Sequence, residues 1–405
     1  MPISASRIAI RVRSSAPAFL RRWIDGALAA ERGPIAWAKD VLLVHGELPP
    51  VAEPRTDLGV RLLIAPLNYA GQGREWARTA SSDAVEAVNL GVVVDGSFGA
   101  PSDWTVSAEV FTASRRWRAD QRAAVTRFSH VMIESFASPF GRGTGAVVLD
   151  DVVWLRERGV HVALICHGTD IRHPQRHVNM HPHSPFAEVG PGALAAAVRS
   201  ADANSAVLRG FDGPVFVSTP DLLADAPGSR WLPVVVDPAR WASTHPVDAT
   251  VPIVVHIPSA GHVKGTEHVD RAAQRLQDAG VLRYVRMQNV PAAAMPGHVG
   301  QADVVVDQLL LGGYGVAACE ALAAGRVVVG NVDDHVRAHV RAETGLDVPI
   351  VQADPDTLDE VLRVLAADPE RRRAVAAKGP DFVRQVHSGA LTSQVLGGFL
   401  GAAMQ

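Results

Sequence analysis

Lys264 stands in the loop Pro258-Ser-Ala-Gly-His-Val-Lys-Gly265, between an apolar run and an amphipathic stretch. A lysine leading into a helix N-terminus can hold a diphosphate by charge. The chain has only three lysines, Lys39, Lys264 and Lys378, and its other basic residues are arginine, so a lysine in a glycine-containing loop stands out. Further on, Gly312-Gly-Tyr-Gly315 leads into Val-Ala-Ala-Cys-Glu320. Glycines there permit close backbone approach to a ligand. A carboxylate such as Glu320 can accept hydrogen bonds from both hydroxyls of a ribose. Ala317, Ala318, Cys319, Ala321, Leu322 and Ala323 read as buried, so Glu320 needs a partner. Asn68-Tyr-Ala-Gly-Gln-Gly73 offers backbone amides at the start of a helix, a cradle for a phosphate or simply a tight turn.

These loops must be held by something regular. Apolar runs at 61–66, 92–95, 130–134, 160–166 and 216–223 read as strands or strand into loop, and Trp231 to Asp237 closes the series. Helical stretches fall between them, from Glu75 to about Val88, from Asp150 to Arg158 and from Ala193 to Ala203. A second series has strands at 253–257, 302–306 and 327–329, with helices from about Glu267 to Ala279 and through Glu320 to Ala324. A capped helix follows Asp354-Pro-Asp356, whose acids suit its first turn. Alternating strand and helix implies mostly parallel sheets. The fold class is therefore α/β, with two Rossmann-like domains facing across a cleft. Residues 1–60 form an N-terminal extension packed on the first domain. Residues 61–240 form the first domain, 241–385 the second, and 386–405 a C-terminal helix. Clustered prolines at 238, 246 and 252 mark the junction.

Composition narrows the classes. With 405 residues, 47% hydrophobic and 20% charged, the chain reads as globular and long enough for two cores. A net charge of −3 speaks against a broad nucleic-acid-binding face. Two cysteines, Cys166 and Cys319, are too few for a disulfide scaffold, and each sits in an apolar run unsuited to a catalytic thiol. The expected setting is the cytoplasm. Arg7, Arg11, Arg13, Arg21 and Arg22 interleave with Phe19, Leu20, Trp23 and Ile24, which could form a membrane-surface helix; packing on the domain is the simpler reading. His173 and His177 are four apart, as in a helical metal pair, but Pro174 and Pro182 interrupt the segment, which reads as a polar loop lining the cleft. No metal and no cofactor are expected.

The run Pro258-Ser through Lys264-Gly-Thr266, followed by Asp307-Gln-Leu-Leu-Leu-Gly-Gly-Tyr-Gly-Val-Ala-Ala-Cys-Glu-Ala-Leu-Ala-Ala-Gly325, resembles the C-terminal domain of retaining GT-B glycosyltransferases, in the large bacterial group that uses nucleotide-diphosphate sugars. Asn68-Tyr-Ala-Gly71, His167-Gly-Thr-Asp-Ile-Arg172, Val217-Ser-Thr-Pro-Asp221 and Val236-Asp237 are similar to the first domain of that group, so the likeness spans about 60–385. The resemblance implies a metal-independent transfer of a sugar from a nucleotide-diphosphate donor to an acceptor hydroxyl, with retention. It implies that Lys264 binds the donor diphosphate, that Glu320 holds the ribose, and that His167 approaches the donor sugar. Gly71 and Gln72 would lie against the phosphates, with Gly313, Tyr314 and Gly315 beside the donor. Two positions depart from the group. The first glutamate of its paired-glutamate motif is Gly312 here, and the basic residue before the lysine is replaced by Ser259, Ala260 and Gly261. The contact from 312 must then come from the backbone of 313–315, from another side chain, or not at all. A non-catalytic nucleotide-sugar-binding or scaffold protein of the same fold is the alternative, and a sugar-nucleotide epimerase shares the architecture.

Overall fold

The computed structural model describes residues 47–93, 100–141, 143–145, 147–258, 261–288 and 290–401. The arginine-rich N-terminal segment lies outside them. Two compact units, Met1–Val162 and Ala163–Gln405, make up the chain.

In the first unit β1 (Val60–Ala65) runs parallel to β2 (Val85–Val93) on one side and β4 (His130–Glu134) on the other, and β3 (Trp104–Ser107) runs parallel to β2. Leu62, Leu63, Ile64 and Ala65 have no exposed surface, as expected of a central parallel strand covered on both faces. Helix α1 (Gln72–Ala80) buries Gln72, Gly73, Trp76, Ala77 and Ala80, a helical stripe. The expected helix from Glu75 to Val88 is therefore two elements. Ser81 ends α1, and its side chain donates to the Ala77 carbonyl and accepts from the Ala87 amide, which turns the chain into β2. The sequence Val85-Glu-Ala-Val-Asn-Leu has no strand alternation because Glu86 and Asn89 are buried with polar partners. Glu86 accepts from the Arg55 and Thr56 amides, and Asn89 exchanges hydrogen bonds with Asp103. The strand expected at 92–95 is the end of β2, and residues 94 and 95 lie outside the described residues. Helices α2 (Ala108–Ala113), α3 (Arg115–Val125) and α4 (Val147–Arg156) are the unit's other α-helices among the described residues.

Strands β5 (His161–Cys166), β6 (Val215–Val217) and β7 (Arg230–Trp231) complete a seven-stranded sheet of order β3-β2-β1-β4-β5-β6-β7. Helices α5 (Pro174–Met180) and α6 (Pro191–Gly210) lie between β5 and β6, and α7 (Pro238–Trp241) follows β7. A separate five-stranded sheet has the order β12-β11-β10-β8-β9, all parallel. Its strands are β8 (Ile253–His256), β9 (Arg283–Arg286), β10 (Val304–Val306), β11 (Val327–Gly330) and β12 (Ile350–Gln352). Between them run α8 (Gly261–Lys264), α9 (Thr266–Asp278), α10 (Met295–Gly300), α11 (Val316–Ala323) and α12 (Asp334–Thr344). After β12 come α13 (Leu358–Ala367), α14 (Pro369–Ala376), α15 (Lys378–Phe382), a π-helical turn (Val383–His387) and α16 (Ala390–Leu400). Val254, Val269, Leu276, Val304, Val306, Val327 and Val329 form one core around this sheet.

Both sheets reverse strand order at one place, between β1 and β4 and between β10 and β8. Loops at the carboxyl ends of such strands are where doubly wound folds bind ligands. The chain's last segment is tied back within the second unit. Thr392 donates to the Pro233 carbonyl, the Val236 amide donates to the His387 carbonyl, and the ring of Phe399 meets that of Phe216 on β6.

His387 is the hub of that tie. Its Nδ1 donates to the Val234 carbonyl at 2.8 Å, and its Nε2 accepts from the Tyr314 hydroxyl at 3.3 Å. Burial holds this imidazole down to about 4. In the unfolded chain it titrates near 6.5. Between those values the unfolded chain binds more protons, so stability rises with pH there and is lost as pH falls. His387→Gln should flatten this acid limb by about 1.4 kcal/mol per pH unit, read by urea unfolding at a series of pH values.

Candidate functional site

The five-stranded sheet brings two charges together at its switch point. Lys264, at the end of α8 after β8, donates from Nζ to Asp307 Oδ1 at 2.8 Å and to the Ile257 carbonyl at 3.3 Å. Asp307 directly follows β10. The lysine side chain is 12% exposed and the aspartate 5%, so the pair is largely withdrawn from water. The local sequence explains the placement. Gly265 adopts φ +77°, and a Cβ there would crowd Leu310 at 3.0 Å, so the chain turns sharply between Lys264 and α9. Buried His256 then pins that turn to the sheet. Its Nδ1 donates to the Val306 carbonyl, and Nε2 accepts from the Thr266 hydroxyl, both at 2.9 Å. Burial holds its pKa below the usual histidine range, consistent with a neutral ring in this role.

Glu320 is the fifth residue of α11 and is half-buried. Burial pushes its carboxyl up to about 7, against the attraction of Arg240 and Lys264, with Asp307 adding to the rise. The helix α7 carrying Arg240 packs on α11, and the Arg240 guanidinium donates to the Ala292 carbonyl at 3.2 Å. Lys264, Asp307, Glu320 and Arg240 thus form one electrostatic group. Arg240 was not singled out in the sequence. The only signal near it is Asp237, which caps α7 by accepting from the amides of Ala239 and Arg240.

The glycine loop before α11 is shaped by carboxylates. Gly312 has φ +72°, and a Cβ there would stand 2.6 Å from the carboxylate carbon of Asp333. A Cβ on Gly313 would stand 2.8 Å from that of Asp221. Gly315 faces open space. Tyr314 is 2% exposed and its ring packs on Phe382 and His387, so its side chain is committed to the core. Gln308 donates to the Gly313 carbonyl at 2.5 Å and steadies the loop from below.

His167 follows β5. The amides of His167 and Gly168 donate to the Asp170 carboxylate at 2.9 and 2.6 Å, which fixes the loop. Among the described residues, those of the histidine-rich segment included, no group of three or more His, Cys, Asp or Glu is arranged to hold a metal ion. The segment's members pair elsewhere. His177 bonds Ser184 at 2.8 Å and stacks on His181, and burial, His181 and Arg172 hold its pKa down to about 3. His181 Nε2 lies 3.4 Å from Asp333 Oδ2, and His183 Nε2 lies 2.8 Å from Asp356 Oδ2. Asp354 accepts from the Asp356 and Thr357 amides and so shapes the turn before α13. Burial raises both cysteine thiols well above their usual range, which makes them poor nucleophiles.

Gly71 and Gln72 belong to the first unit and are described there alone. Asn68, Ala70 and Gly71 all have positive φ, and both Gly71 and Gln72 are buried. The buried Glu134 carboxylate at the end of β4 accepts from the Leu67 and Asn68 amides, which holds this turn at the carboxyl end of β1.

No family model and no curated protein matches the chain. Solved structures do. Sucrose-phosphate synthase from Thermosynechococcus elongatus superposes with a TM-score of 0.56 at 12% identity, over 85% of this chain and 99% of the other. HepE of Anabaena, solved in complex with UDP-glucose, gives 0.51 at 12% identity, over 84% and 99%. WaaG, a glycosyltransferase involved in lipopolysaccharide biosynthesis, gives 0.50 at 15% identity, over 84% and 100%. The fold is GT-B. That α/β fold comprises the two parallel sheets described above, and the Lys264–Asp307 pair occupies the switch point of the second one.

Arg172 and Asp221 form a buried ion pair beneath Gly313, 8% and 6% exposed. Removing one partner leaves a charge without compensation away from water. Arg172→Met should therefore cost about 3–5 kcal/mol in chemical unfolding, far more than a surface pair would.

Proposed function

We propose that the protein is a glycosyltransferase that moves a sugar from a nucleotide-diphosphate donor to an acceptor hydroxyl, with retention and without a bound metal. The observation that carries this reading is the Lys264–Asp307–Glu320–Arg240 group, built at the switch point of a GT-B sheet beside a glycine loop. HepE was solved with UDP-glucose, which makes uridine diphosphate sugars the first donors to try.

In this reading Lys264 meets the diphosphate and stabilises the charge that grows as the sugar leaves. Its present partner, Asp307, keeps the ammonium aimed before a ligand arrives. Arg240 supplies a second positive charge that the residues before Lys264 do not. Glu320 accepts from the ribose hydroxyls. His167 stands toward the sugar, and the amides of Gly313 to Gly315 line the approach.

A non-catalytic nucleotide-sugar-binding protein is the second reading, favoured by the absence of a side chain at Gly312. Transfer and hydrolysis measured across a panel of nucleotide sugars separate the two, since binding without turnover would establish the second.

Lys264→Ala should lower turnover by roughly 10²–10³ and weaken nucleotide binding. Wild-type turnover in this variant would make Lys264 a structural residue. Glu320 gives a pH signature. Only its ionised form accepts hydrogen bonds from two hydroxyls, so nucleoside diphosphate affinity should fall as pH drops through about 7. Glu320→Gln should lose that dependence, as read by titration calorimetry at several pH values.

A further inference from the structure

The glycine loop offers a ligand no side chain of its own, because the Tyr314 ring is in the core. What meets the ligand at 312 must come from a neighbour, and the neighbour is Asp333. This residue occupies the N-cap position of α12, yet its carboxylate makes no capping hydrogen bond to the helix amides. Aspartate at an N-cap ordinarily spends its oxygens there. Here the carboxylate turns instead to the space where a side chain on Gly312 would begin. The backbone holds it there: the Asp333 amide donates to the Gly312 carbonyl at 2.9 Å, and the Asp333 carbonyl accepts from the Arg337 amide at 3.0 Å.

The surroundings suit a hydroxyl group. His181 Nε2 and His335 Nδ1 lie 3.4 and 3.7 Å from Asp333 Oδ2, too far for tight hydrogen bonds, so the carboxylate keeps acceptor capacity. The Asp333 side chain is 18% exposed. Together with Arg172, His177, His181 and Leu311 it borders a cavity of about 10 Å³. That volume accommodates one water molecule, and a sugar hydroxyl is the same size. Asp221 lines the same slot but is paired with Arg172, so Asp333, with imidazole nitrogens beside it, is the carboxylate offered to a single hydroxyl.

We propose that Asp333 is a specificity-determining residue that accepts a hydrogen bond from a hydroxyl of the donor sugar at the place Gly312 leaves bare. This rests on the nucleotide-sugar reading above. The sugar hydroxyl takes the water-sized slot and donates to the carboxylate, while the diphosphate and ribose depend on Lys264, Arg240 and Glu320. Asp333 thus separates a sugar donor from its bare diphosphate without contributing to the binding of the latter.

Calorimetric titration of wild type, Asp333→Ala and Asp333→Asn with UDP, GDP, UDP-glucose, UDP-galactose, UDP-N-acetylglucosamine and GDP-mannose tests this. For the preferred donor, Asp333→Ala should lose about tenfold to a hundredfold in affinity, the scale of one charged hydrogen bond. The matching bare diphosphate should bind within about twofold of wild type. Asp333→Asn keeps the shape and one acceptor oxygen, so it should lie between, and it serves if the alanine variant fails to fold. Equal losses for diphosphate and sugar donor, or an unchanged ratio between them, would overturn the assignment of Asp333 and leave the nucleotide-sugar reading standing. Wild-type protein that binds none of the six would overturn both.

Discussion

The ion pair between Lys264 and Asp307 depends on strand order more than on sequence proximity, since the two residues are 43 positions apart. β8 and β10 are neighbours in the sheet only because the chain reverses direction of growth there, and parallel register aligns Val254 with Val304 and His256 with Val306. The pair is nearly dry, and a dry pair contributes little net stability because both ions have lost their water. Its value is positional. An ammonium held by a carboxylate and a carbonyl has little freedom left, so little reorganisation is needed when an anion arrives. The Gly265 turn, the His256 clamp and the hydrogen bond from the Leu309 amide to the Lys264 carbonyl all serve that fixed position.

Around this pair the molecule places unlike charges in a partly dry region, where each alters the others. Glu320 is the clearest case: burial favours its neutral form, and Arg240 and Lys264 pull it back toward the ionised one. A carboxyl poised in this way responds to whatever charge is added beside it. On the proposed function, ribose hydroxyls that donate to this carboxyl favour its ionised form, so ligand binding and proton release at Glu320 are linked.

The parts of the site that were legible in the sequence are those where one residue type has one use. Lys264 stood out because lysine is rare in this chain and because it sits between a strand and a helix. The valine-rich strands at 253–256, 304–306 and 327–330 were equally plain, since runs of β-branched residues bounded by turns have few other readings. The first part of β2 was read as helix because its buried Glu86 and Asn89 answer to partners elsewhere, which breaks the alternation that marks a strand. Short β9 and β12 carry arginines and a glutamine, so composition gives them little away. Asp307, Arg240 and Asp333 were illegible for one shared reason: each matters through a neighbour that only the folded chain supplies. The Tyr314 side chain shows the converse. Its loop was read as a place of close backbone approach to a ligand; the ring points into the core, and sequence does not say which way a loop side chain turns.

The packing of Asp333 against Gly312 makes two positions 21 residues apart a single heritable unit. The amide-to-carbonyl bond between them fixes the distance, and the carboxylate fills the space of any side chain at 312. A mutation that placed a larger residue at 312 while Asp333 remained would meet both a steric clash and a left-handed backbone at once. Shortening residue 333 first would vacate the space but remove the acid. On the proposed role of Asp333 neither order offers an easy intermediate, so the two positions are expected to change together. Divergence should otherwise be channelled to the residues around the slot, such as His181 and His335, where change carries no such obligation.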